Sequence, residues 1–116
     1  MFPGRFRLDT IHDMNLADGI RAKVAGGAFE FSQHALDQSV QRRISVAEVR
    51  EVIACCEVTE DYPDDKYGPS CLVLGVTASG RPLHVHCSHP SRTLIKIITL
   101  YEPDPALWQG NRLRRS

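Results

Sequence analysis

What this sequence lacks narrows its function before anything it contains does. No apolar run approaches the roughly 18 continuous residues that a spanning helix requires, so no membrane partner is expected. The opening stretch MFPGRFRLDTIHD carries charge where a secretory leader needs an apolar segment, and export is not expected either. The four cysteines Cys55, Cys56, Cys71 and Cys87 contain no Cys-x-x-Cys pair. The two neighbours would make a strained disulfide, so reduced thiols in a cytoplasm are the expectation. Neither a G-x-x-x-x-G-K nor a G-x-G-x-x-G loop is present, which argues against nucleotide hydrolysis and dinucleotide binding. Excess charge is also missing. Fourteen Lys and Arg cancel fourteen Asp and Glu, so the chain has no basic field of the kind that tight nucleic-acid binders carry.

What is present suffices for one core. The chain has 116 residues, of which 42% are apolar, which fits a single domain over 1–116 with residues 1–14 and 109–116 as loosely held ends. The neutral total hides an uneven distribution. Glu57, Glu60, Asp61, Asp64 and Asp65 stand against Lys66 alone. Downstream, Arg81, Arg92, Lys96, Arg112, Arg114 and Arg115 face only Glu102 and Asp104. The basic end would meet phosphates, and the acidic segment would repel them.

Periodicity predicts three helices followed by a meander of strands. Leu16, Ile20 and Val24 make a stripe over 15–25, with Asn15 as cap and Gly26-Gly27 as stop. A short extended piece follows at 28–31. Ser32 caps a helix over 33–43 in which Leu36 and Val40 are read as facing inward, with Ala35 and Ser39 beside them. Ser45-Val46-Ala47-Glu48 matches a capping box, and Val46, Val49 and Ile53 form the stripe of the third helix. Strands are then predicted at 57–62, 70–77, 82–88 and 93–101. Ala78-Ser79-Gly80-Arg81 forms a tight turn between the second and third, and short connections imply antiparallel pairing. Residues around Leu107-Trp108 make one helical turn before a polar, basic end. The fold class is α+β, with helices on one face of a mainly antiparallel four- to five-stranded sheet and the other face open.

Five short phrases stand in a characteristic order. They are Phe31-Ser32-x-His34-Ala35, Arg42-x-Ile44-Ser45, Glu60-Asp61-Tyr62-Pro63, Gly80-Arg81-Pro82-Leu83-His84-Val85 and Ile97-Ile98-Thr99-x-Tyr101-x-Pro103-Asp104, closing with Trp108. Together they resemble the family called domain of unknown function 4258, from about residue 16 to the tail. That family is similar in helix–helix–sheet layout to the RelE-like and barnase-like nuclease toxins. The resemblance implies the toxin half of a toxin–antitoxin pair with a small zinc-finger protein as antitoxin. It carries polar positions onto His34, Arg42, Glu60, Arg81, His84, Thr99 and Tyr101. It also marks one departure: relatives usually place an arginine four residues after the helix histidine, where this chain has Gln38.

Metal-free RNA cleavage needs a base for the ribose 2′-hydroxyl, an acid for the leaving oxygen, and donors or cations for the phosphorane. His34 sits near the positive end of a helix dipole, which favours a neutral imidazole suited to act as base. His84 is its complement. Arg42 and Arg81 are candidate phosphate clamps, Thr99 and Tyr101 position substrate, and Glu60 and His86 complete the substrate-binding set. His84 and His86 share one strand face, with Leu83, Val85 and Cys87 on the other. Alternation puts Ile95, Ile97, Thr99 and Tyr101 together, leaving open which way they point relative to the histidines. No cofactor is expected. Two rival readings remain: a non-cleaving relative that binds a protein or RNA, and a metal-binding protein built on His84 and His86, although zinc usually needs four ligands.

Overall fold

The cap and turn signals act where the sequence places them. The computed structural model describes residues 16–115, so Asn15 and the expected end at 1–14 lie outside the described residues. Helix α1 covers 16–25 and stops at the Gly26-Gly27 turn, where Gly27 adopts φ +82°. Strand β1, Phe29–Phe31, is short and leads directly into helix α2, Gln33–Gln41. Ser32 caps α2 by accepting from the Ala35 amide at 3.0 Å. Helix α3, Val46–Ala54, opens with the reciprocal Ser45–Glu48 capping box. Four longer strands follow: β2 Glu57–Tyr62, β3 Ser70–Val76, β4 Pro82–Ser88 and β5 Ile95–Tyr101. They form one five-stranded sheet in the order β1-β5-β4-β3-β2, antiparallel except for the β1–β5 pair. The architecture is α+β with the helices packed against this sheet.

One face of the sheet carries the core. Ile20 and Val24 of α1 and Val49, Val52 and Ile53 of α3 pack with Val73, Leu83, Val85, Ile95, Ile97 and Leu100, all essentially solvent-free. Contact is closest at Gly75, where an added Cβ would lie 2.1 Å from the Val52 carbonyl oxygen. Only glycine lets α3 settle so near the strand. Among the described residues no helix is long and apolar enough to cross a membrane.

Three expectations are corrected, each for a physical reason. On α2, Leu36 and Val40 point outward at 45% and 79% exposure, while Ala35 and Gln38 are buried. The helix does not simply cover a sheet face; it runs beside the part of β5 that the short β1 leaves without a partner. Backbone groups there need polar neighbours. Ser32 Oγ donates to the Ile98 carbonyl at 3.1 Å, Gln38 accepts from the Leu100 amide at 2.8 Å, and Arg42 donates to the Leu100 carbonyl at 2.8 Å. On α3, Val46 is exposed and Val52 takes its place in the buried stripe.

The third correction concerns the tail. The turn at Leu107-Trp108 exists, with both amides bonding the Asp104 carbonyl. After it comes a hairpin rather than a loose end: β6 Trp108–Gln109 pairs with β7 Leu113–Arg114. Gly110 and Asn111 both adopt positive φ, 59° and 63°, as a type I′ hairpin turn requires. We call residues 103–115 the strap.

Candidate functional site

The site begins with a one-residue irregularity. In the pairing of β4 with β5, Cys87 opposes Ile97 but His86 opposes Thr99, so Ile98 is the extra residue of a β-bulge. Such a bulge reverses the alternation that follows it. Ile95, Ile97 and Leu100 therefore face the helices, while Thr99 and Tyr101 turn to the open side, not to the side of Ile95 and Ile97 as plain alternation predicts. Direct cross-strand pairing sets Tyr101 beside His84 and Thr99 beside His86. A second bulge, at Thr59, brings Glu60 opposite Leu72, the residue that also opposes His86. Glu60, Leu72, His86 and Thr99 thus form one row across the sheet, and Leu74, His84 and Tyr101 the next.

His84 is fully buried, although no helix covers it. The strap does. Trp108 stands edge-on to the imidazole at 4.4 Å between centroids, and the Asn111 carbonyl lies 2.6 Å from Nε2. A carbonyl only accepts, so Nε2 carries the proton and Nδ1 is left as an acceptor for the Tyr101 hydroxyl at 3.0 Å. Burial pushes the His84 pKa down, against the raising effects of the Asn111 bond and Glu60. The ring is neutral, has no free nitrogen, and serves to hold Tyr101. Burial in turn raises the Tyr101 pKa.

His86 differs from it in one decisive respect. Its ring lines an open cleft of about 330 Å³ together with Tyr62, Leu72, Thr99, Tyr101 and Arg114. The Ser70 hydroxyl donates to Asp65 at 2.8 Å, and with its only proton committed it accepts from His86 Nε2 at 2.9 Å. Nδ1 therefore carries the lone pair, and it has no partner among the described residues. Burial lowers the His86 pKa, partly offset by Asp65, which keeps the imidazole neutral with its lone pair available. Ser70 and Asp65 escaped the sequence reading because their importance is a matter of register: Ser70 is two positions from Leu72 along β3, and Asp65 reaches it from the preceding turn.

The strap supplies the cleft's cation. Arg114 grips both oxygens of Glu60, at 2.8 and 3.1 Å, and lies 4.6 Å from the centroid of the Trp108 ring. Tyr62 also donates its hydroxyl to Glu60. Burial works to raise the Glu60 pKa, but the bonds from Arg114 and Tyr62 prevail and hold the carboxyl below its ordinary value. Burial and the Glu60 bond raise the Tyr62 pKa. Arg112 makes a parallel contact with Glu57 at 2.8 Å.

The remaining sequence candidates lie elsewhere or are committed. His34 is exposed in the first turn of α2 and lines neither of the clefts described here. Arg81 makes several structural bonds. It bonds Glu102 at 2.7 Å and the carbonyls of Arg43 and Arg42 at 2.8 and 2.9 Å, fastening the turn between α2 and α3. Arg42, besides its bond to Leu100, lines a second cleft of about 470 Å³ with Arg81, Tyr101, Glu102, Asp104, Leu107 and Trp108, so the two arginines expected as clamps do share a cleft with Tyr101. Gln38, at the position where relatives usually carry arginine, is buried against β5. Among the described residues no three His, Cys, Asp or Glu side chains gather as metal ligands, and both nitrogens of His84 are taken.

The fold and site define an α+β domain whose open sheet face bears a histidine–tyrosine cleft. The chain belongs to the family described as domain of unknown function (DUF4258), whose model matches residues 31–102. That span includes β2 to β5 of the main sheet and the last residue of β1, and it stops at the residue before the strap. No curated protein and no solved structure matches the chain.

Proposed function

We propose that the open-face cleft cleaves single-stranded RNA without a metal ion, in the manner of the RelE-like and barnase-like toxins that the family resembles. The observation that carries this reading is the Asp65–Ser70–His86 chain, which leaves a neutral imidazole with its acceptor nitrogen unclaimed in a cleft lined by Thr99, Tyr101 and Arg114. His86 Nδ1 takes the ribose 2′-hydroxyl proton. The 2′-oxygen attacks phosphorus, the bond to the 5′-oxygen breaks, and that oxygen takes a proton from solvent in the open cleft. The products are a 2′,3′-cyclic phosphate and a 5′-hydroxyl end. Arg114 and the Thr99 hydroxyl stabilise charge on the phosphorane. His86 thus takes the part that sequence reasoning gave to His34, and His84 becomes a positioning residue for Tyr101. The pairing with a small zinc-finger antitoxin rests on the family resemblance alone.

The test is incubation of the purified protein with single-stranded RNA in the presence of a chelator, followed by end analysis. Cyclic phosphate ends are expected, and His86→Ala is expected to slow cleavage by about 10²–10⁴-fold, the usual worth of a positioned base. Cleavage that survives His86→Ala but disappears with His34→Ala would return the role to α2 and sink this assignment. A second reading, binding of RNA or protein without cleavage, is favoured by one observation: Arg114, the one arginine among the described residues that line the cleft, is already paired with Glu60. RNA retained intact by the folded protein would decide for it.

A further inference from the structure

We infer that Glu60 occupies, with its own carboxylate, an anion site built for a phosphodiester, and that ligand binding works by exchange at Arg114. The inference rests on the RNA reading for the identity of the ligand, but not on cleavage. Around the Glu60 carboxylate stand the two-pronged guanidinium of Arg114 and the hydroxyl of Tyr62. A charged fork and a hydroxyl converging on one anion are an arrangement that recognises phosphate, and a guanidinium fork fits carboxylate and phosphate alike. The fork is also braced: Arg114 lies 4.6 Å from the Trp108 ring centroid, and Trp108 is anchored on buried His84. The site is therefore organised in the free protein and filled by an internal competitor.

The competitor can be displaced from the open side. The Arg114 side chain is 63% exposed, so an incoming anion reaches the guanidinium from solvent while Glu60, 21% exposed, competes for it from the sheet. A phosphodiester in the cleft beside Thr99 and His86 would take over the fork, and Glu60 would swing toward solvent. Arg114 belongs to β7, so the exchange also loosens one of the two ion pairs that tie the strap to β2. The other, Arg112 to Glu57, would keep the hairpin in place. Glu60, which sequence reasoning grouped with substrate-binding residues, is on this view a brake on binding.

The experiment measures binding of a short single-stranded oligodeoxynucleotide, which has no 2′-hydroxyl and cannot be cut, by fluorescence anisotropy at low salt. Glu60→Gln, close in size but uncharged, is expected to bind at least about tenfold tighter than the wild type, a change of about 1.4 kcal/mol. Arg114→Ala is expected to abolish the gain when combined with Glu60→Gln, and Glu30→Gln, at an exposed carboxylate on β1, to leave affinity unchanged. Binding by a folded Glu60→Gln protein that is equal to or weaker than wild type overturns the inference. A reading free of mutation comes from titrating the wild type with inorganic phosphate and following the Arg114 Nε–H and Trp108 Nε1–H NMR signals. Both are expected to shift, and static signals up to high phosphate overturn the inference independently of any folding defect. Tight binding by Glu60→Gln with uncut RNA would uphold the anion site and remove the cleavage reading. RNA cut through His86 with no gain from Glu60→Gln would do the reverse.

Discussion

The two sides of β4 solve the same burial problem by different means. Val85 faces the helices and His84 faces away from them, yet neither is exposed to solvent. Val85 is dry because α1 and α3 cover it with aliphatic side chains, an arrangement held by apolar area and shape. His84 is dry because a thirteen-residue strap lies over it, pinned by a tryptophan, one backbone carbonyl and two arginine–carboxylate pairs. The helical side has no polar choice left to make. The open side consists of little else, and each hydrogen bond there fixes a tautomer or a charge. Stability is therefore expected to reside in the first layer and adjustability in the second.

Three measurements would break or sharpen that contrast. Ile97→Ala strikes the helical side and should lower the urea-unfolding free energy by about 2–5 kcal/mol, the usual loss for truncating a buried aliphatic residue. A loss well under 1 kcal/mol would mean that the helix layer is not the main source of stability. Tyr101→Phe, on the open side, keeps the ring and removes the donor to His84 Nδ1. It should cost about 1–3 kcal/mol, since it strands a buried acceptor. No loss would show that the bond between Tyr101 and His84 does not hold the open side together. The smallest effect is a slope with pH. His84 and His86 are both held below their ordinary pKa of 6.5 by burial. The unfolded chain therefore binds protons that the native state refuses, and stability rises with pH in that range. Unfolding free energy should be level above about 6.5 and fall as the pH drops through the lower folded-state values. Glu60, with its pKa depressed, adds a separate loss only below the ordinary carboxylate range of about 4.5. A protein that gained stability between pH 7 and pH 5.5 would contradict the neutral assignment of both rings.

Much of the first layer was legible in the chain, and for a local reason. Ser32 and Ser45 announce helices α2 and α3 through bonds made within three residues, and the strand runs end at turn residues that act where they stand. The fold class followed from those signals. The orientation of α2 did not, because Leu36 and Val40 have helical spacing whether or not a neighbour covers them. What decides the matter is the unpaired backbone of Ile98 and Leu100, some sixty residues away. The phase of β5 was misread for the same kind of reason: alternation has no way to register an extra residue inside a strand. Of the site, Thr99, Tyr101, His84, His86 and Glu60 were all chosen from the sequence, but their roles had to be redistributed once the strap was seen to bury His84. The hairpin itself had a signal in Gly110-Asn111, a dipeptide suited to positive φ, which the basic composition around it obscured. Arg114 was noticed only as one charge among several at the end of the chain.

The bulge at Ile98 has a consequence for how this cleft can change over time. The identities of Thr99 and Tyr101 matter less than the register in which they meet β4. Straightening the bulge while Ile98 stays in the ladder would drive both hydroxyls into the aliphatic layer and present Leu100 to the strap, erasing the cleft without altering a single polar side chain, whereas losing Ile98 together with its bulge would leave both hydroxyls on the open face. Point substitutions tune such a site by degrees, whereas a slip of register by one residue switches it off.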